Sequence, residues 1–361
     1  MKRRIGILTS GGDCPGLNAA IRGVARASYA LFDAEIIGIR GGYKGLIEGD
    51  YQEMTKSQFS NILTVGGTIL GTSRTPFREM RMVGEDNIDK VAAMKENYKK
   101  MGLDCLVTLG GNGTHKTANL LSQEGLNVIG LPKTIDNDIF GTDFTFGFHT
   151  AVETATDVID RIHTTAASHN RVMVVEIMGN KAGWLTLYAG LAGGADAILI
   201  PELPYDINEV AKVIEKRAMD NKNFTIIAVA EGAMDIKESR MKRKEREAKR
   251  AEEGTSFVSV RIAKQLTEML NVDSRTVIPG HILRGGTPCA YDRILSTQFG
   301  VHAAQLISNG TYGVTVALHG DRIVHNSLSE VAGVAKPVTP SNYMVKTARS
   351  MGISFCDTQD D

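Results

Sequence analysis

Short apolar runs rich in β-branched residues alternate along the chain with longer stretches of helical periodicity. The apolar runs predict strands at residues 5–9, 35–39, 105–109, 128–131, 172–177, 197–200, 224–230 and 314–318. The periodic stretches predict helices near 18–31, 88–100, 114–123, 148–165, 208–220, 257–270 and 292–309. Near-continuous apolar strands that alternate with helices are typical of parallel sheets covered on both faces. We therefore expect an α/β protein with two Rossmann-like, three-layer α/β/α domains and mainly parallel sheets.

One segment, residues 235–254, interrupts this alternation because Lys, Arg and Glu dominate it and it lacks an apolar face. Glu245, Lys249 and Glu253 follow one another at i,i+4 spacing, which favours a helix with opposite charges on one side. We expect a solvated helical insertion. The alternative is an arm that binds nucleic acid or an effector, suggested by the basic run at 242–244.

Length and charge narrow the classes of function. The 361 residues exceed the size at which a single hydrophobic core keeps growing, which favours two domains. Hydrophobic residues make up 42% and charged residues 23%, as in ordinary globular proteins. Lys and Arg together number 41, as do Asp and Glu, so no global field attracts nucleic acid or an anionic membrane. Any anion site must be local, and we expect neither a nucleic-acid nor a membrane partner.

The chain carries no pattern of a secreted or membrane protein. The apolar run at 5–8 ends at Gly11, too early for a secretory signal, and no apolar segment reaches the length that spans a bilayer. Cys14, Cys105, Cys289 and Cys356 lack the CxxC spacing of zinc or redox sites. We expect free thiols in a reducing cytoplasm.

Two glycine-rich loops each follow a predicted strand and precede a predicted helix. Residues 10–16 read SGGDCPG, and residues 110–114 read GGNGT. Glycines let backbone amides approach an oxyanion, and the amino end of the following helix adds a favourable dipole. Thr114 can cap the second helix and offer its hydroxyl to a phosphate or a metal. A plain tight turn also explains the first loop, but two such loops in one sheet favour phosphate binding.

A carboxylate-dense turn, PKTIDND at residues 132–138, directly follows the predicted strand 128–131. Open α/β sheets bind their ligands at the carboxyl ends of strands. Asp136 and Asp138 are separated by one residue, so in an extended segment they project to the same side. One carboxylate can then take a proton from an attacking hydroxyl while the other orients magnesium. The alternative is an Asx-rich turn, which Asp and Asn stabilise by bonding their own backbone.

Arginines and a histidine complete the candidate chemistry. Arg74 and Arg78 carry guanidinium groups suited to a transferring phosphoryl group, although an ordinary surface loop carries arginines too. Polar groups suited to a sugar phosphate follow later in the chain, at Arg171, Glu176, Glu231, Arg275, His281 and Arg284. A lone histidine is more often structural than catalytic, but His281 is accompanied by Arg284 and two glycines.

Residues 8–18, 110–114, 132–138, 168–179 and 280–288 together resemble the 6-phosphofructokinase family, in order along nearly the whole chain. The TIDND, MG and GHxxRGG-type blocks make the resemblance specific, and it is to the A type, in its long bacterial ATP-dependent or mixed-substrate subgroup. That family transfers a phosphoryl group from ATP or pyrophosphate to the 1-hydroxyl of fructose 6-phosphate, with magnesium. The resemblance implies a phosphoryl-donor domain at 1–147 plus about 283–333. It implies a sugar-phosphate domain at 148–282 plus about 334–361, with the charged insertion at about 235–254.

The resemblance also assigns roles to single residues. It makes Asp136 the general base, with Thr134 and Asp138 beside the reacting hydroxyl and the metal. Arg171 corresponds to a transition-state and substrate arginine and Arg275 to a 6-phosphate ligand; both cross a subunit boundary in the family, which implies a homotetramer or homodimer. The implied substrate pocket contains Thr134, Asp136, Arg171, Met178, Gly179, Asn180, Glu231, Arg275, His281 and Arg284. The implied donor site contains Gly12, Arg74, Thr75, Gly111, Asn112, Gly113 and Thr114, and the implied metal ligands are Asn112 and Asp138.

Three positions depart from the family pattern. Asn112 stands where the family has a metal-binding Asp, so magnesium would rely more on the donor phosphates and on the second carboxylate of the turn. Asn180 replaces the arginine of a Met-Gly-Arg triplet, which removes one guanidinium from the pocket. His163 stands where the bacterial effector site has an arginine, although Arg22 and Arg26 are retained, so we do not expect regulation of the common bacterial kind.

Two positions bear on the phosphoryl donor. In pyrophosphate-using relatives an acidic side chain replaces Gly113 and fills space that the α-phosphate of ATP would need, and a lysine occupies the position of Lys133. Here Gly113 favours ATP, whereas Lys133 resembles the other class. A side chain that fills the space of the α-phosphate excludes ATP more strictly than an added lysine does, since a flexible lysine can move aside or pair with a phosphate. We therefore expect ATP as the donor.

Three other functions stay open at this point. The first is a pyrophosphate-dependent fructose 6-phosphate 1-phosphotransferase. The second is a kinase of the NAD or lipid type, because the GGNGT loop is similar to their GGDGT-type loop; the block around His281 disfavours it. The third is an inactive regulatory subunit that binds phosphometabolites, suggested by Asn112 and Asn180 and disfavoured by the presence of Asp136.

Overall fold

The structure is a computed structural model that describes residues 2–82, 88–254 and 256–357. Its strands are β1 (Arg3–Thr9), β2 (Ala34–Ile39), β3 (Tyr51–Met54), β4 (Cys105–Gly110), β5 (Val128–Pro132), β6 (Val172–Ile177), β7 (Ala197–Leu199), β8 (Thr225–Ala230), β9 (Ser274–Val277), β10 (Val314–His319) and β11 (Arg322–Ser327). Its helices are α1 (Leu17–Leu31), α2 (Tyr43–Glu48), α3 (Lys90–Lys100), α4 (Asn112–Gln123), α5 (Phe148–His169), α6 (Trp184–Ala192), α7 (Ile207–Met219), α8 (Ile236–Ser239), α9 (Arg243–Glu252), α10 (Val258–Leu270), α11 (Ala290–Asn309), α12 (Leu328–Val331) and α13 (Tyr343–Ser350). Short 3₁₀ turns lie at Lys56–Phe59, Phe77–Glu79 and Gly280–Arg284.

The chain divides into two compact units. The first unit consists of Met1–Thr150 and Arg284–Lys336, and the second of Ala151–Leu283 and Pro337–Asp361. Each unit has its own mainly parallel sheet, as expected for a two-domain α/β protein. Residues 358–361, which end the expected second domain, lie outside the described residues.

The first unit is built on a seven-stranded sheet with the order β11-β10-β5-β4-β1-β2-β3. Its interior pairs are parallel, and only the two edge strands β3 and β11 pair in the antiparallel sense. From β1 the chain continues to β2 on one side, whereas from β4 it continues to β5 on the other side. The carboxyl ends of β1 and β4 therefore flank a topological switch point, where open α/β sheets bind their ligands.

Helices α1 and α11 pack closely against each other in the first unit. A Cβ added to Gly23 of α1 would lie 2.9 Å from the carbonyl oxygen of Thr297, and one added to Gly300 of α11 would lie 2.6 Å from that of Ala20. Real Cβ atoms do not approach backbone oxygens so closely, so glycine is required at both positions. This contact fixes α1, the helix that follows the first glycine loop.

The second unit has a four-stranded, wholly parallel sheet with the order β7-β8-β6-β9. Its buried core joins the sheet to α7 and α10, through side chains that include Val174, Ile227, Val210, Ile262 and Leu266. The carboxyl ends of β6 and β8 are neighbours, because Ile177 is in register with Ala230.

The predicted strands and helices are confirmed, and physical reasons explain several of the elements that the sequence did not reveal. Strands β3, β9 and β11 are edge strands with half-exposed or exposed residues, so they lack the apolar runs of interior strands. Helix α6 is apolar around most of its circumference and shows little helical periodicity. None of the helices in the described part of the chain is both long enough and apolar enough to cross a bilayer. The four cysteines are free thiols, as predicted.

Candidate active site

Three loops of the first unit lie side by side, because they follow neighbouring parallel strands. Thr9 of β1 is in register with Leu109 of β4, and Gly110 with Pro132 of β5. Ser10 N donates to the carbonyl of Leu109 at 2.9 Å, and Lys133 N donates to that of Gly110 at 3.0 Å. The two glycine loops and the carboxylate turn thus start next to one another at one edge of the sheet.

The first glycine loop is held by the segment that carries Arg74. Gly11 has a left-handed φ of 84°, its N–H donates to the carbonyl of Ser73 at 3.0 Å, and Thr72 Oγ1 donates to its carbonyl at 2.7 Å. The exposed Arg74 and the half-buried Thr75 follow these contacts directly. The structure therefore brings both residues to the first loop.

Arg284 lies against the same loop. Its Nη1 donates to the carbonyl of Asp13 at 3.2 Å, and a Cβ added to Gly12 would lie 2.8 Å from that nitrogen. A Cβ at Gly12 would therefore require the guanidinium to shift. Arg284 belongs to the first unit, whereas His281, three positions earlier, is exposed and belongs to the second.

The second glycine loop starts α4. The helix begins at Asn112 with Gly111 as its N-cap and without a side-chain cap, so the prediction that Thr114 caps it is wrong. Thr114 is buried in the first turn instead, and its hydroxyl reaches the carbonyl of Ser10 at 3.4 Å. Capping fails because the chain already enters the helix two residues earlier. Thr114 links the second loop to the first.

A buried histidine that the sequence did not single out supports this loop. His115 Nδ1 lies 3.1 Å from the carbonyl of Gly111, and Nε2 lies 2.8 Å from Thr315 Oγ1. Burial lowers the pKa of His115 to about 4, so the imidazole is neutral near pH 7. The ring therefore fixes the backbone of Gly111 without adding a charge to the site.

Gly113 faces open space. It is exposed, and a Cβ added to it would meet no atom of the described residues within 4 Å. The second position of α4 thus leaves unfilled volume in front of the loop.

The carboxylate turn is not extended, which corrects the geometry assumed from the sequence. Asn137, between the two aspartates, has a left-handed φ of 50°, and its Oδ1 accepts a hydrogen bond from Thr145 N at 3.1 Å. Asp136 N donates to Thr134 Oγ1 at 3.1 Å. The simple alternation of sides therefore does not hold, and the half-buried Asp136 and Asp138 are placed by this folded turn.

Lys336, from the far end of the first unit, holds the turn from behind. Its Nζ donates to Asn137 Oδ1 at 3.0 Å and to the carbonyls of Thr142 and Asp143 at 2.9 and 2.8 Å. Its backbone N–H donates to the carbonyl of Asp138 at 2.9 Å. Burial lowers the pKa of Lys336 to about 8. No local pattern in the sequence indicates this contact, because nearly two hundred positions separate the partners.

The two candidate metal ligands meet across the loops. Asn112 Nδ2 donates to the carbonyl of Asp138 at 3.1 Å and lies 3.5 Å from its Oδ2. Asn112 Oδ1 is buried and accepts no hydrogen bond from the described residues. These residues also contain no cluster of three or more His, Cys, Asp or Glu side chains around one metal position. An amide oxygen beside one carboxylate suits magnesium, which is usually held by few protein oxygens together with phosphates and water.

Lys133 is buried, and its Nζ donates to the carbonyl of Gly12. Burial lowers its pKa, and the positive charge of Arg284 lowers it further. The ammonium is thus held by the first loop, unlike the freely moving side chain that we assumed from the sequence.

In the second unit, Met178, Gly179 and Asn180 follow β6, and Glu231 follows the adjacent β8. Gly232 N donates to the carbonyl of Gly179 at 3.2 Å, which ties the two strand ends together. Gly179 has a φ of 142° and therefore must be glycine. A cavity of about 410 Å³ opens here, and Asn180 and Glu231 line it.

Arg171 and Arg275 lie at the amino-terminal ends of strands in the same sheet, opposite the carboxyl ends that carry Met178 and Glu231. Arg171 precedes β6, and Arg275 lies near the start of β9. Asp273 pairs with both, through Arg171 Nε at 2.7 Å and Arg275 Nη2 at 3.0 Å. Within the second unit the structure therefore joins these two arginines and separates them from Met178, Gly179 and Glu231.

The residues that resemble an effector site are divided between the units. Arg22 and Arg26 belong to α1 in the first unit. His163 belongs to α5 in the second unit, where its Nε2 lies 2.7 Å from the carbonyl of Gly193. The imidazole is therefore engaged with the backbone.

Two glycine loops and a carboxylate turn at the switch point of a parallel sheet define an α/β protein of the phosphate-binding class. A family model described as Phosphofructokinase matches residues 4–307. The chain belongs to the phosphofructokinase family.

Curated relatives are similar over the whole chain. The ATP-dependent 6-phosphofructokinase of Spirochaeta thermophila is 54% identical over 358 residues, which cover 98% of both chains. The ATP-dependent 6-phosphofructokinase 3 of Bacteroides thetaiotaomicron is 47% identical and covers 98% of this chain and 99% of its own.

Solved structures share the fold. Pichia pastoris phosphofructokinase in the T-state superposes with a TM-score of 0.79 and 32% identity, over 92% of this chain and 35% of that chain. This chain thus spans about a third of the Pichia chain. The pyrophosphate-dependent phosphofructokinase of Marinobacter aquaeolei also reaches a TM-score of 0.79, at 20% identity, which is a likeness of fold alone.

Proposed function

We propose that this protein is an ATP-dependent 6-phosphofructokinase, which transfers the γ-phosphoryl group of ATP to the 1-hydroxyl of D-fructose 6-phosphate. Membership of the family and the names of the relatives support the reaction. The observation that carries the choice of donor is the open space at Gly113, in the second glycine loop, next to the first glycine loop and the carboxylate turn. An acidic side chain at that position would occupy the room that a nucleotide needs.

Asp136 is the proposed general base. Its carboxylate takes the proton of the 1-hydroxyl while the sugar oxygen forms a bond to the γ-phosphorus and the bond to the β-phosphate oxygen breaks, which releases ADP. Thr134 Oγ1 accepts a hydrogen bond from the backbone N–H of Asp136, and Lys336 Nζ donates to Asn137 Oδ1. These two contacts hold the turn and so orient the carboxylate. Arg74, Thr75, Gly12 and residues 111–114 are the proposed donor contacts, and Arg74 stabilises the charge of the transferring group.

Asn112 Oδ1 and the carboxylate of Asp138 are the proposed magnesium ligands. The unpartnered amide oxygen supports this assignment, since a buried oxygen without a donor suits a cation. When bound, magnesium neutralises charge on the donor phosphates.

Met178, Gly179, Asn180, Glu231, His281 and Arg284 are proposed contacts of the sugar phosphate. Arg171 and Arg275 are proposed to serve a neighbouring subunit, because they lie at the sheet edge opposite Glu231. This position supports a homo-oligomer, a tetramer or a dimer, with sites shared between subunits. A cytoplasmic location remains our expectation from the sequence.

Pyrophosphate is the second candidate donor, and Lys133 is the observation that favours it. The ammonium of Lys133 lies at the first glycine loop, where its positive charge would pair with the second phosphate of pyrophosphate. Its bond to Gly12 and its burial, however, engage it with the protein rather than with a donor.

Replacement of Asp136 tests the mechanism. Asp136→Asn keeps the shape of the side chain but removes the base, so kcat falls about 10²- to 10⁴-fold, while the Kd for fructose 6-phosphate stays close to the wild-type value. Steady-state turnover with Mg·ATP and calorimetric binding measure the two quantities.

Asp50→Asn is the matched control, because Asp50 makes an exposed pair with Arg40 and carries no proposed role. Its kcat equals that of the wild type. A wild-type kcat in Asp136→Asn would remove Asp136 from the base role.

A further inference from the structure

The charged insertion forms a wall of the cavity at the carboxyl ends of β6 and β8. One face of α9 lines it, with Arg243, Arg246 and Arg250 at i, i+3 and i+7 spacing. Asn180 and Glu231 also line the cavity. The insertion is thus not only a solvated surface helix, which was our expectation from the sequence.

A buried ion-pair cluster fixes α9 in this position. The side chain of Glu238 is fully buried, and both Arg250 and Arg261 donate to it with two nitrogens at 2.6 to 3.0 Å. Arg250 Nη2 also donates to the carbonyl of Ala233 at 2.9 Å. These bonds join α9 to α8 and α10, so the wall is held rather than loosely attached.

The cationic groups that line the cavity differ in their partners. Arg250 is neutralised by Glu238, and Arg243 Nε pairs with Glu247 at 2.6 Å. Arg246 makes no ion pair with the described residues, and its Nη1 donates to the thioether of Met234 at 2.9 Å. A half-buried guanidinium that has no ion-pair partner within the described part of the chain therefore lines the cavity.

We propose that Arg246 binds the sugar phosphate, and supplies from the insertion the guanidinium that Asn180 does not. Guanidinium groups bind phosphate and sugar oxyanions through two directed hydrogen bonds. Glu231, which also lines the cavity, accepts hydrogen bonds from sugar hydroxyls. The inference rests on the proposed function, and it makes α9 a specificity-determining element of the substrate pocket.

Arg246→Ala tests the proposal. Loss of a charge-assisted bond raises the KM and the Kd for fructose 6-phosphate about 10- to 100-fold, with kcat changed much less. Arg246→Lys recovers only part of the affinity, because an ammonium lacks the two-pronged geometry. Steady-state kinetics with fructose 6-phosphate and Mg·ATP and calorimetry with fructose 6-phosphate alone measure both quantities.

Lys244→Ala is the matched control, since it removes the same charge from the same helix at an exposed residue that does not line the cavity. It leaves both constants unchanged. In the background of Arg246→Ala, the substitution Asn180→Arg returns a guanidinium to the same cavity and restores at least part of the affinity.

The outcomes are distinct. An unchanged KM and Kd in Arg246→Ala, an equal loss in Lys244→Ala, or a loss that Asn180→Arg does not repair would overturn the proposed role of Arg246. Failure of the wild-type protein to turn over fructose 6-phosphate would instead contradict the proposed function, and calorimetry would still test the binding role of Arg246.

Discussion

Gly113 shows how one missing side chain can decide the chemistry of a loop. It occupies the second position of α4, where the amide groups of the first turn are free to meet an anion. Thr114 Oγ1 donates to the carbonyl of Ser10, and His115 Nδ1 lies beside the carbonyl of Gly111. The loop is therefore preorganised, while the space in front of Gly113 stays open. Rigid amides beside empty volume are what a nucleotide phosphate requires.

Gly113→Asp is therefore expected to leave the fold intact and to impair use of ATP. A new Cβ meets no atom within 4 Å, and an acidic residue in the first turn of a helix is favourable. The carboxylate, however, fills and charges the space in front of the loop, so kcat/KM for ATP falls by about 10-fold or more. Donor kinetics together with a thermal melt measure the effect.

Gly113→Ala separates backbone effects from the carboxylate, because it adds a methyl group without a charge. We expect ATP kinetics near those of the wild type in this variant. Equal ATP kinetics in Gly113→Asp and Gly113→Ala would show that the donor does not pass this position.

At the scale of elements, the buried apolar strands were predictable and the half-exposed edge strands β3, β9 and β11 were not. Strands β1, β4 and β5 are buried on both faces, so their apolar runs were visible and placed the three loops at one sheet edge. Edge strands such as β3 carry polar residues, and α9 has no buried residue. A pattern of hydrophobic positions cannot place elements that are held by ion pairs.

Glu238→Gln tests whether the ion-pair cluster anchors the insertion. The amide removes the buried counter-charge that Arg250 and Arg261 share and leaves Arg261 with the longer pair to Glu253 at 3.5 Å, which lowers the free energy of unfolding by about 3–5 kcal/mol. Amide hydrogen exchange in α9 accelerates. Glu247→Gln changes only an exposed pair on the same helix and is expected to alter neither quantity, so equal effects of the two variants would contradict the anchoring role.

The same cluster predicts a dependence of stability on pH. Burial by itself raises the pKa of Glu238, but the hydrogen bonds from Arg250 and Arg261 lower it to about 2. An unfolded glutamate has a pKa of about 4.3, so the cluster stabilises the protein above that pH and the contribution is lost as the pH falls towards 2. The stability difference between wild type and Glu238→Gln should therefore shrink in acid. A difference independent of pH would contradict this assignment.

For the whole molecule, the sequence predicted the α/β fold, the two units and the three loops at one sheet edge, since these depend on local patterns. It did not predict Lys336 behind the carboxylate turn or Arg246 in the cavity wall, because both reach their targets through tertiary structure. It also assumed an extended turn at Asp136, whereas Asn137 adopts a left-handed conformation. Contacts between distant segments leave no short-range signature.

The donor preference of the wild-type protein tests the account most directly. Turnover of fructose 6-phosphate is measured with Mg·ATP and with Mg·pyrophosphate, each in a coupled assay for fructose 1,6-bisphosphate. The open position at Gly113 and the engaged Lys133 predict a kcat/KM for ATP at least about 10-fold above that for pyrophosphate. Turnover with pyrophosphate that equals or exceeds turnover with ATP, or none with either donor, would contradict it.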